Sequence, residues 1–103
     1  MRSLIIPKIG LENEFIGKGE VKGFRFRKIA STQHANLYEV DSGVSNVHYE
    51  VFMRKLVPVC IDFENRLYSK TEQKEVYPKS KDFGVWAWTY NNILKAEQKY
   101  LEL

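Results

Sequence analysis

Cysteine is almost absent from this chain of 103 residues: Cys60 stands alone, so no internal disulfide framework can form, and a reducing compartment suits it. Long apolar runs are missing as well. The longest, such as Leu4-Ile5-Ile6, are far too short to span a bilayer. Met1-Arg2-Ser3-Leu4-Ile5-Ile6-Pro7 carries one basic residue and an apolar stretch of only three residues, which is no signal-peptide pattern. Histidine is scarce: His34 and His48 lie in different segments, without the His/Cys/Asp spacing of a zinc site, so neither metal nor cofactor is expected. A strong excess of either charge is missing too. The net charge of +3 permits a polyanionic partner without requiring one. These absences point to a non-membrane protein of the cytoplasm, in a cell or a virus-infected cell.

What is present suits a folded globule. A hydrophobic content of 44% and an aromatic content of 14% provide for a real core in one domain, residues 1–103. Residues 1–22 read as an irregular segment, with Pro7 and Gly10 as breakers and Gly17-Lys18-Gly19 as a turn. Antiparallel strands follow over 23–62. In Gly23-Phe24-Arg25-Phe26-Arg27-Lys28-Ile29 apolar and basic residues alternate, as in a half-buried strand. Leu37 to Asp41 and Val47 to Arg54 are two further strands, joined at Asp41-Ser42-Gly43 into an antiparallel hairpin. Val57 to Asp62 is extended, but Pro58 cannot donate a ladder hydrogen bond, which puts it at a sheet edge or outside the sheet.

Residues 63–82 are polar, with no strong periodicity from Glu64 to Lys81. They read as one long loop, with room for a short helical turn or an excursion hairpin. An aromatic strand then occupies 83–90, placing Trp86, Trp88 and Tyr90 in one row, with Val85, Ala87 and Thr89 behind. Asn91 or Asn92 caps a helix over 92–103, whose stripe of Ile93, Ala96, Tyr100 and Leu103 must dock on the sheet. Lys95 and Lys99 then face water. Strands followed by one helix define an α+β fold: an antiparallel sheet of about four strands with a C-terminal helix packed across it. Whether that helix covers the aromatic row or the small-residue face decides if the row is core or exposed.

Several constellations bear on chemistry. Trp86, Trp88 and Tyr90 with Arg25, Arg27 and Lys28 have the composition of a nucleic-acid platform, rings stacking on bases and cations meeting phosphates. Lys18 and Lys22 would add to the basic side. The competing reading makes the aromatics core and pairs the arginines across strands with Glu39 or Glu50. Catalysis would need His34 or His48 to converge with Cys60 or a carboxylate, and no local signature supports that. Asp82-Phe83-Gly84 matches a kinase tripeptide, yet the chain is too short and lacks the other kinase motifs. Gly17-Lys18-Gly19-Glu20 precedes a strand rather than a helix, so it cradles no phosphate.

The succession of Phe24 to Phe26, Leu37-Tyr38-Glu39-Val40, His48-Tyr49-Glu50-Val51-Phe52, Tyr77-Pro78 and Asp82-Phe83-Gly84-Val85-Trp86-Ala87-Trp88 resembles small proteins of phages and mobile elements of gut Bacteroidetes-type bacteria. The resemblance covers residues 23–103 and centres on Trp-Ala-Trp before the helix. It implies a phage or mobile-element origin in a bacterial cytoplasm and assigns no residue a role. The expectation is a non-enzymatic module that binds a protein partner or itself, through the sheet face or the 64–81 segment. The alternative is a nucleic-acid-binding module built on the aromatic and basic residues.

Overall fold

The computed structural model describes residues 10–44 and 46–103. Five strands form one antiparallel sheet: β1 (Glu14–Ile16), β2 (Arg25–Ser31), β3 (Ala35–Asp41), β4 (His48–Met53) and, from near the end of the chain, β7 (Ala87–Tyr90), ordered β1-β2-β3-β4-β7. Strands β5 (Leu56–Asp62) and β6 (Leu67–Glu75) pair with each other in a separate two-stranded sheet. One helix, α1 (Ile93–Glu102), follows β7. The fold is thus α+β as expected, with a fifth strand in the sheet and a second small sheet beside the expected plan. Among the described residues, no helix is long and apolar enough to cross a membrane.

Contacts divide the chain into two compact units, where the sequence led us to expect a single domain. Among the described residues, one unit holds Gly10, Leu11 and Lys55–Tyr77; the other holds Glu12–Arg54 and Pro78–Leu103. In the larger unit the expected antiparallel β3–β4 hairpin forms, with a register that runs from Ala35 opposite Met53 to Val40 opposite His48. Asp41 Oδ1 accepts from the Gly43 amide at 2.8 Å, and Gly43 turns the chain with φ +85°. β3 is central and buried on both faces, which is why its burial does not alternate.

β1 corrects the irregular reading of residues 1–22 from Gly10 onward; residues 1–9 of that reading lie outside the described residues. Three residues are too few to show a period, and the strand is defined by its pairing with β2. Gly17 follows it where a Cβ would lie 2.3 Å from the Val21 carbonyl oxygen, so the tight return into β2 admits only glycine.

The 63–82 loop is also corrected. Its central part is β6, nine residues long and paired with β5 from Leu56 opposite Glu75 to Asp62 opposite Leu67. Between Tyr68 and Gln73 the register jumps, and there Ser69 Oγ accepts from the amides of Thr71 (3.2 Å) and Glu72 (2.8 Å). This bulge erases the period of two by which a strand is recognised. Pro58 lies outside the main sheet, as its missing amide hydrogen requires.

The aromatic strand begins at Ala87, later than expected. Gly84 (φ +90°) and the amides of Val85 and Trp86, both donating to the Asp82 carbonyl, form a turn over 83–86. Asn92 then caps α1, its Oδ1 accepting from Leu94 at 2.7 Å and Lys95 at 3.4 Å. Ala96 is buried against Leu37 and Val51, with Ile93, Tyr100 and Leu103 packed around them, so the expected stripe is the docking face.

Candidate functional site

Directly opposed residues of antiparallel neighbours share a face, so the register sorts every side chain of the sheet. On the α1 face one row crosses all five strands: Glu14, Arg27, Glu39, Tyr49 and Tyr90. Trp88 lies opposite Val51 in the neighbouring row, and Ile16, Arg25 and Asp41 form a third on β1, β2 and β3. The other face carries Phe15, Phe26, Tyr38 and Phe52, which stack from strand to strand. Phe15 and Phe26 are parallel at 4.7 Å, Tyr38 and Phe52 at 5.6 Å. Trp86 completes this line edge-on to Phe52 at 6.3 Å. Phe26, Tyr38 and Phe52 are buried, and the Tyr38 hydroxyl donates to the Glu12 carbonyl at 2.7 Å.

The row expected of Trp86, Trp88 and Tyr90 is therefore split. The turn over 83–86 sends Trp86 to the face of Phe52, whereas Trp88 and Tyr90 lie on the face that α1 covers, half-buried. Lys99, expected in water, reaches back over Trp88, its Nζ 4.1 Å from the ring centroid. The basic residues divide likewise. Arg25 and Arg27 are on the α1 face of β2, three strands or about 14 Å from β7. Lys28 is on the other face, with its Nζ 5.8 Å from the Tyr38 ring centroid. Arg27 donates to Glu39 Oε1 at 3.2 Å, the cross-strand pair weighed in the competing reading, and Arg25 stands opposite Asp41.

The two histidines belong to the larger unit and Cys60 to the hairpin unit. His34 contacts its neighbour Gln33, and Cys60 is in β5, opposite Tyr68. His48 does meet a carboxylate: its Nε2 lies 2.9 Å from Glu50 Oε2, two residues along β4. Val40 is opposite His48, while Tyr38 and Thr89 flank Glu50, so the pair is bracketed by residues of the sheet itself.

A surface that sequence reasoning did not single out lies at the end of the β5–β6 hairpin. Ile61, Phe63, Leu67 and Tyr68 are all exposed there, Phe63 at 82%. The turn that presents them is tightly held. Asp62 Oδ1 accepts from the amides of Glu64 (3.1 Å) and Asn65 (3.3 Å), its Oδ2 accepts from the Asn65 side-chain amide at 2.7 Å, and the Arg66 amide donates to the Phe63 carbonyl at 3.2 Å. These bonds, the Asn65 side chain foremost, hold the Asp62 carboxyl below the usual aspartate range. Arg66 closes the turn with φ +53°, a conformation that costs a non-glycine residue roughly 1–2 kcal/mol. The signal was there to read: Asp62-Phe63-Glu64-Asn65 is a polar turn with one large aromatic residue inside it.

Comparison with family models, with curated proteins and with solved structures finds no match to this chain.

Proposed function

We propose that this chain is a protein-interaction module of phage or mobile-element origin, acting in a bacterial cytoplasm by occupying a partner's surface rather than by catalysis. The observation that carries the reading is the hairpin end, where four large apolar side chains are exposed within eight residues. Clustered exposed apolar side chains mark contact sites, and a buried aromatic anchor supplies most of the energy of many interfaces. The Asp62 turn fixes that anchor before binding, which lowers the entropy lost on association. On this reading the contact lies within and just before the 64–81 segment rather than on the sheet face. The resemblance over residues 23–103 supports the origin.

Nucleic-acid binding through Arg25, Arg27, Lys28, Trp86, Trp88 and Tyr90 is the weaker reading. The six residues are distributed over two faces, and Arg27 already meets Glu39.

A photo-crosslinking side chain at position 63, with Lys81 as the control position, tests the interaction reading in bacterial cytosol. Position 63 should yield discrete protein adducts that excess unlabelled chain competes away and the Phe63→Ser chain does not. Equal labelling from both positions, or equal competition by Phe63→Ser, would refute it.

A further inference from the structure

Phe63 stands in the turn between β5 and β6, and at 82% exposure its ring is not held by packing. Its place is fixed by the backbone on either side of it. Asp62 Oδ1 accepts from the amides of the two residues that follow Phe63, and Asp62 Oδ2 accepts from Asn65 Nδ2 at 2.7 Å. The Phe63 carbonyl in turn accepts from the Arg66 amide. Backbone preference alone does not choose this path. Arg66 holds φ +53°, a region that glycine and asparagine enter more readily than arginine. The Asp62 carboxylate and the Asn65 side chain offset that cost.

We infer that Asp62 and Asn65 are positioning residues of the contact: together they hold Phe63 in its presented conformation and set how tightly a partner binds, without touching the partner. The inference rests on the reading of the hairpin end as the contact element and adds the residues that govern its affinity.

Populations decide the effect. Only chains with the turn closed offer Phe63 in place, so the apparent affinity falls with the fraction of chains so closed. The Asn65–Asp62 bond joins a neutral donor to a charged acceptor, the stronger class of hydrogen bond. It is also the bond that does most to hold the Asp62 carboxyl below its usual range. Asn65→Asp keeps the shape of the side chain and turns this bond into a like-charge contact. Ile61, Phe63, Leu67 and Tyr68 all keep their own side chains in that variant.

The chain with a photo-crosslinking side chain at position 63, competed in bacterial cytosol by unlabelled variants, tests this. Asn65→Asp should need roughly three- to tenfold more competitor than wild type, the factor that one net hydrogen bond is worth. Asp62→Asn combined with Asn65→Asp exchanges the two side chains and restores the amide-to-carboxylate bond, so this double variant should compete as wild type does. Amide exchange along the β5–β6 ladder should be the same in all three chains. A single variant that competes as well as wild type overturns the inference. So does a double variant that stays weak, because a partner touching either side chain directly is not satisfied by their exchange. Lost protection along the ladder in the single variant overturns it too, since the pair then supports the whole hairpin rather than the anchor. Phe63→Ser separates the two readings in each of these cases. If it competes poorly, the hairpin is still the contact element and only the role of the pair is wrong; if it competes as wild type does, both readings fail.

Discussion

The two aromatic groups of the sheet differ in what their removal costs. Phe52 is fully buried and touches Tyr38 and Trp86, so Phe52→Ala should lower the unfolding free energy by roughly 3–5 kcal/mol in urea denaturation. Trp88 is half-buried at the margin of α1, and Lys99 keeps one face of its ring from water. Trp88→Ala should leave a shallower defect and a measurably smaller loss than Phe52→Ala. Equal losses would mean that the sheet face under α1 is packed as fully as the face of Tyr38. Arg66 supplies the opposite sign of effect. Glycine adopts a positive φ without steric cost, so Arg66→Gly should raise stability by about 1 kcal/mol, visible as a raised Tm. An unchanged or lowered Tm would show that the Arg66 side chain makes a stabilising contact that outweighs its backbone conformation.

At the scale of elements, what could be read depended on how each is stabilised. β2, the β3–β4 hairpin and α1 follow a regular period and end on residues that cap or turn the chain, so Phe26, Gly43, Asn92 and Ala96 do what their sequence context announces. The β6 strand was illegible because the Ser69 bulge interrupts its alternation, and β1 because three residues show no period. The aromatic row failed for a third reason. Alternation holds only inside a strand, and the Gly84 turn displaced Trp86 by ending at β7's first residue. Of the candidate site, the Arg27–Glu39 pair was legible and the hairpin end was not, because exposure depends on the fold and not on composition. That hairpin should respond to acid. Asp62 has a lowered pKa, chiefly through the Asn65 side chain, so its contribution is present above the ordinary aspartate value of about 3.9 and is lost as pH falls through the lower folded value. Amide exchange at Glu64 and Asn65, corrected for intrinsic rates, should lose protection only on acidification below that ordinary value. Protection that is flat with pH down to full protonation would show that the turn does not depend on the carboxylate.

For the molecule as a whole, the two units differ in what holds each together. The larger unit buries Phe26, Leu37, Tyr38, Val40, Val51 and Phe52, with α1 docked on one face of its sheet. Among its described residues the hairpin unit has one buried residue, Glu75, whose carboxylate accepts from the Leu11 amide at a long 3.5 Å. A two-stranded sheet without buried apolar side chains of its own is marginal in water. Its ladder should therefore open at lower free energy than that of the larger sheet. Native-state hydrogen exchange should rank the amides of β3 and β4 as the slowest, exchanging only on global unfolding, with β5 and β6 opening in a separate, faster step. One exchange free energy shared by both sheets would mean that the hairpin unit unfolds only with the rest. A hairpin of low intrinsic stability also makes the binding proposal quantitative. A partner that seats Phe63 binds the closed hairpin, so its binding should slow exchange in β5 and β6, and more so as its concentration rises above Kd. Exchange in those strands that a saturating partner leaves unchanged would show that the partner does not hold the hairpin.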